Sequence, residues 1–141
     1  MKKILLLILV ASALFAVEGK IIFEKNCTAC HLGMVSMAEF KPLFKAGKIK
    51  APPMVEIAAK IKASININPI GDNDNAEDIH RFTVIAFIKN YVTHPSWDYY
   101  MCDSVAINRF KVMPAQTHLS DEELQAVSEW IYDYFEGKEL K

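Results

Sequence analysis

The chain is poor in residues that staple or ligate. Three cysteines in 141 residues are too few for a disulfide framework, and a zinc site would want four ligands, usually as two knuckles. Positive charge is not in excess either: 16 Lys and Arg face 17 Asp and Glu, which argues against general nucleic-acid binding. Long apolar runs are missing apart from Ile4 to Val17, broken only by Ser12, and that run is too short to cross a bilayer comfortably. It follows Lys2 and Lys3, so residues 1–16 are expected to be a signal peptide, cleaved between 13 and 19, after Ala13, Ala16 or Gly19. Residues 17–141 are then one mildly acidic domain, large enough for one core, with no stable membrane anchor.

Two of the cysteines lie together in Cys27-Thr28-Ala29-Cys30-His31. Two thiols and an adjacent imidazole at this spacing suit covalent attachment of a c-type haem. Each thiol can form a thioether to a vinyl group, and the imidazole can take one axial position on the iron. A thioredoxin-like pair would open a helix after a strand. Here the preceding Ile21-Ile22-Phe23-Glu24-Lys25-Asn26 has helical apolar spacing instead.

Periodicity predicts an all-α chain. A first helix is expected over about 19–29, with Ile22, Phe23 and Asn26 inward. Residues 38–44 form a short helix or a turn interrupted by Pro42, with Gly47 as a stop. Pro53 opens a helix to Lys62 with Met54, Ile57, Ala58 and Ile61 on one face. A loop covers 66–75; its acids, Asp72, Asp74 and the nearby Glu77, lack the ligand order of a calcium loop. Asn75 with Asp78 caps a helix to about Val92, with Ile79, Phe82, Ile85 and Ala86 facing the core and His80 and Lys89 on the wetter flank. Ser120-Asp121-Glu122-Glu123 reads as a capping box. It opens a terminal helix carrying Leu124, Val127, Trp130, Ile131 and Tyr134 and ending near Gly137.

A six-coordinate iron needs a second axial ligand from far along the chain. Met113 stands out because Pro114 biases it away from helix and constrains the loop that presents it. His118 competes from the same loop, and His80 and His94 are weaker alternatives. The other methionines read as packing residues.

The sequence resembles the class I cytochrome c family, particularly small bacterial periplasmic monohaem members. The likeness is carried by residues 19–31 ending in the haem motif, by Met113-Pro114-Ala115, and by the final helix with Leu124, Trp130 and Ile131. It implies an all-α, class I cytochrome c-like fold around one covalently attached haem c. Cys27 and Cys30 would hold the thioethers, and His31 and Met113 would be the metal ligands. Gly19 and Phe23 would cross the terminal helix near Trp130. It further implies periplasmic electron transfer between a redox donor and acceptor, a membrane respiratory complex among them, with no catalytic residue. Alternatives are a haem-bearing subunit of a larger respiratory complex, or a haem enzyme or small-ligand sensor with an open distal site near Tyr99, Tyr100 and Arg109. Two features depart from the family pattern. The proline whose carbonyl usually takes the imidazole proton is not evident after His31, Pro42 being a distant candidate, and Cys102 is extra, read as a buried unreactive thiol or else as a pairing or redox-responsive one.

Overall fold

A computed structural model describes residues 18–66, 75–102 and 104–140. The expected signal peptide and most of the 66–75 loop, with Asp72 and Asp74, lie outside them. Every regular element among the described residues is helical. Helix α1 is described over 18–26; α2 spans Met37–Lys45, α3 Met54–Ser64, α4 Ala76–Thr93, α5 Ser104–Phe110 and α6 Asp121–Tyr134. A short 3-10 turn covers Trp97–Tyr99.

The core lies among α1, α3, α4 and α6, where Phe23, Val55, Val84, Val127, Trp130 and Phe135 are buried. Helix α6 begins as its sequence dictates: the Ser120 hydroxyl accepts from the Glu123 amide, and the Glu123 carboxylate accepts from the Ser120 amide. Helix α1 crosses α6 at Gly19, where an added Cβ would lie 2.5 Å from the Cβ of Trp130. Only glycine permits this approach. One turn on, the ring of Phe23 packs 4.9 Å from that of Trp130.

Several expectations need correction. Helix α1 ends at residue 26, and residues 27–30 form the turn after it. Pro42 does not interrupt α2; the helix runs through it, because proline in so short a helix removes a single backbone bond and a second capping box, Ser36 with Glu39, secures the start. The Asn75 side chain makes no cap bond to α4. Ile79 and Phe82 are exposed at 44 % and 74 %, and the buried face of α4 is Val84, Ile85 and Ile88. Tertiary contact with α3 and α6 selects this face, overriding the stripe read from spacing. His80 is not on a wet flank: its Nδ1 lies 3.2 Å from the Tyr132 hydroxyl and its Nε2 3.0 Å from the Lys62 carbonyl oxygen. That bond, with Lys62 donating to the Tyr132 carbonyl at 2.7 Å and pairing with Glu136, braces α3, α4 and the C-terminal end of α6.

Candidate haem site

Cys27 follows directly from α1, its amide donating to the Phe23 carbonyl at 2.9 Å. The next turn closes tightly: the amides of Cys30 and His31 both donate to the Cys27 carbonyl, at 3.1 and 2.9 Å. Both thiols are free, Cys27 half-buried and Cys30 exposed. Burial, then the neighbouring Cys30, pushes the Cys27 thiol up to about 11. A thiol so held is a poor thiolate donor at neutral pH, contrary to a thioredoxin-like pair. Among the described residues no three His, Cys, Asp or Glu side chains are grouped to hold a metal ion.

The partner of His31 comes from the segment just before α3. Its Nδ1 lies 3.0 Å from the carbonyl oxygen of Pro52. A carbonyl only accepts, so Nδ1 carries the proton and Nε2 keeps its lone pair. Pro52 is followed by Pro53, so its ring fixes φ while its successor forbids the helical conformation; the carbonyl direction is set by covalent geometry. The Met54 amide donates to the Leu32 carbonyl at 2.7 Å, fastening the same two segments a second time. Pro42 is excluded from this role, since it lies within α2 and its carbonyl takes the Ala46 amide at 3.0 Å. Burial lowers the pKa of His31, with the Pro52 bond opposing it, which keeps the ring neutral and able to ligate.

The donor set fits a c-type haem: two thiols on one turn, and an imidazole with its proton on the distal nitrogen from the expected iron. Met113 lies in the loop after α5, half-buried. Lys111 ends α5 with a left-handed φ of 64°, and the Gln116 amide anchors the loop to the Val92 carbonyl at 2.9 Å. Of the competing histidines, His80 is tied to Tyr132 and Lys62 as described, and His94 is exposed at the end of α4, 2.9 Å from the Thr93 hydroxyl. His118 sits by the motif helix, with Nε2 3.1 Å from Asn26 Oδ1. Cys102 is half-buried rather than buried. A cleft of about 550 Å³ between α4 and α6, lined in part by Arg81, Phe82 and Lys89, contains none of the candidate haem residues.

Two stretches of the chain carry charge of one sign. Residues 40–51 and 104–115 contain no acid. Lys41, Lys45, Lys48, Lys50 and Lys111 are exposed and form no ion pair among the described residues. Arg109 joins the two stretches, donating to the Phe44 carbonyl at 2.8 Å and lying 3.6 Å over its ring. Lys50 is two residues from Pro52, and Lys111 two from Met113.

A helical shell that presents a Cys-x-x-Cys-His turn with the imidazole held through one nitrogen is that of a class I-like cytochrome c. Residues 16–131 match the family described as cytochrome c oxidase, cbb3-type, subunit III. The chain belongs to that family. It is also 31 % identical, over 94 % of its length and 87 % of the other chain, to an uncharacterized protein of Aquifex aeolicus strain VF5. No solved structure matches it. Membership implies haem c as cofactor and haem-based electron transfer as the work of the domain.

Proposed function

We propose that the protein is a periplasmic electron carrier holding one haem c through thioethers at Cys27 and Cys30, with His31 and Met113 as axial ligands. The observation that carries this reading is the Pro52 carbonyl on His31 Nδ1, which orients the ring and leaves Nε2 for iron. Bound haem supplies a one-electron couple between ferric and ferrous iron. The chain contributes a fixed imidazole, made more basic by its hydrogen bond, and a soft thioether, which favours the ferrous state and raises the potential relative to a second histidine. With His31 and Met113 both holding the iron, no position would be open to substrate.

The exposed lysines of 41–50 and Lys111, which pair with no acid among the described residues and whose segments Arg109 joins at Phe44, support docking of an acidic redox partner there. Opposite charge there raises the encounter rate, and a small contact keeps release fast. The family description favours a second reading, in which the domain serves as a haem subunit of a respiratory oxidase complex. No helix among the described residues is long and apolar enough to cross a membrane.

The test is the spectrum of the exported, haem-loaded protein before and after acidic organic extraction. Pigment that stays with the polypeptide, and a weak far-red sulfur-to-iron band in the ferric state, are expected. Extractable pigment with both motif thiols free overturns the attachment, and a stable high-spin ferric signal at neutral pH favours an open-site enzyme or sensor. Purification with a large stoichiometric partner, from a chain that will not stay monomeric alone, favours the subunit reading.

A further inference from the structure

We infer that His118 is a positioning residue for the distal ligand: it fastens the loop carrying Met113 to the helix that carries the haem motif, by a bond that does not involve the iron. The inference rests on the Met113 ligation proposed above.

The geometry begins at Asn26, immediately before Cys27. Its Nδ2 lies 2.9 Å from the Ile22 carbonyl oxygen. A carbonyl can only accept, so the amide nitrogen faces Ile22 and the orientation of the carboxamide is fixed. Oδ1 then points the other way, 3.1 Å from His118 Nε2. Because Oδ1 also only accepts, Nε2 must carry a proton, and it does so in both the neutral and the cationic ring. The same proton removes Nε2 of His118 from competition for the iron.

Met113 lies between three restraints on its loop. On one side Lys111 breaks α5 with its positive φ. On the other, Gln116 is bonded to the end of α4, and Leu119 is buried in the core at 9 % exposure. Gln116 and Leu119 hold the loop to α4 and to the core; the His118–Asn26 bond is the side-chain hydrogen bond that joins it to the motif helix. Both axial ligands are thereby referred to one rigid element, since His31 follows α1 by a single closed turn. Without this bond the loop keeps its hold on α4 and the core through Gln116 and Leu119 but loses its side-chain hydrogen bond to the motif helix, so the thioether is less firmly held against thermal opening.

An added ligand can reach the iron only when Met113 has left it, so its apparent affinity reports the fraction of open loop. Losing one neutral hydrogen bond shifts such an equilibrium roughly fivefold. The experiment is titration of the ferric haem-loaded protein with imidazole, read by loss of the far-red sulfur band, for wild type, His118→Ala, His118→Gln, Asn26→Ala and the His118→Ala/Asn26→Ala double variant. Imidazole affinity is expected to rise roughly fivefold in His118→Ala and in Asn26→Ala. The double variant should rise no further, because both substitutions remove the same bond. His118→Gln, which keeps an amide donor, should recover most of the wild-type value. Unchanged affinity in His118→Ala, or additive effects in the double variant, overturns the inference. A wild-type protein without the sulfur band instead overturns the Met113 ligation on which it rests, so the two failures are distinguishable.

Discussion

His31 Nδ1 and the Pro52 carbonyl oxygen are 3.0 Å apart across 21 positions of sequence. The acceptor is a main-chain atom, so substitution at the two residues should have unequal effects. Pro52→Ala keeps the carbonyl and should retain low-spin haem, losing roughly 1 kcal/mol of stability through the freer unfolded chain. His31→Ala should impair haem maturation and lose the native low-spin spectrum. Denaturant titration and the ferric spectrum check the pair, and a normal spectrum from His31→Ala would refute its role.

Met113→Ala should keep the pigment covalently bound, lose the sulfur-to-iron band and show a markedly lower reduction potential. Voltammetry with the ferric spectrum decides it. An unchanged spectrum removes Met113 from the iron.

Gly19→Ala tests the helix crossing. The new methyl would meet the Ala126 carbonyl and the Trp130 Cβ, and backbone cannot rotate away as a flexible side chain can. A loss of about 3 kcal/mol is expected, visible as a lower denaturant midpoint in the haem-loaded protein.

The capping box at α2 gives a pH dependence. Hydrogen bonds from the Ser36 amide and hydroxyl hold the Glu39 pKa below its ordinary value. The folded pKa being the lower one, this contribution to α2 is present above the ordinary glutamate pKa and is lost as pH falls through the depressed folded value. Protection of the Glu39 and Phe40 amides, measured against their intrinsic exchange rate at each pH, should therefore fall in acid, and in Glu39→Gln this acid-dependent step should shrink.

Net charge and local charge make opposite predictions for reaction with an anion. The chain has a formal net charge of −1, so a whole-molecule view predicts that added salt speeds oxidation of the ferrous protein by ferricyanide. If electrons leave by the lysine face, salt should slow it. Lys45→Glu/Lys48→Glu/Lys111→Glu should reverse the slope, as measured by stopped-flow absorbance.

What the sequence reveals about this fold is what is encoded locally. The haem motif lies within five consecutive residues, and the Ser120–Glu123 box within four, so neither needs tertiary information. The box at Ser36-Met37-Ala38-Glu39 has the same local pattern, although Pro42 three residues on reads locally as a helix breaker. The faces of α4 were not legible, because the spacing of Ile79, Phe82 and Ala86 resembles a core stripe and only the placement of α3 and α6 decides against it. Nor was the acceptor for His31, since Pro52 is reached only after α2 has folded back. From sequence His118 reads as a competing ligand, and the orientation of Asn26, which gives it a hydrogen-bond partner, is invisible there.

The crossing of Gly19 with Ala126 and Trp130 joins segments from opposite ends of the polypeptide. Loop closure across so many residues is entropically costly and slow, and as the chain is made the motif helix appears long before the surface that will receive it. Until α6 arrives, Cys27 and Cys30 sit on an undocked stretch of chain; if the porphyrin is joined to them as proposed, seating of the last helix closes that window of assembly.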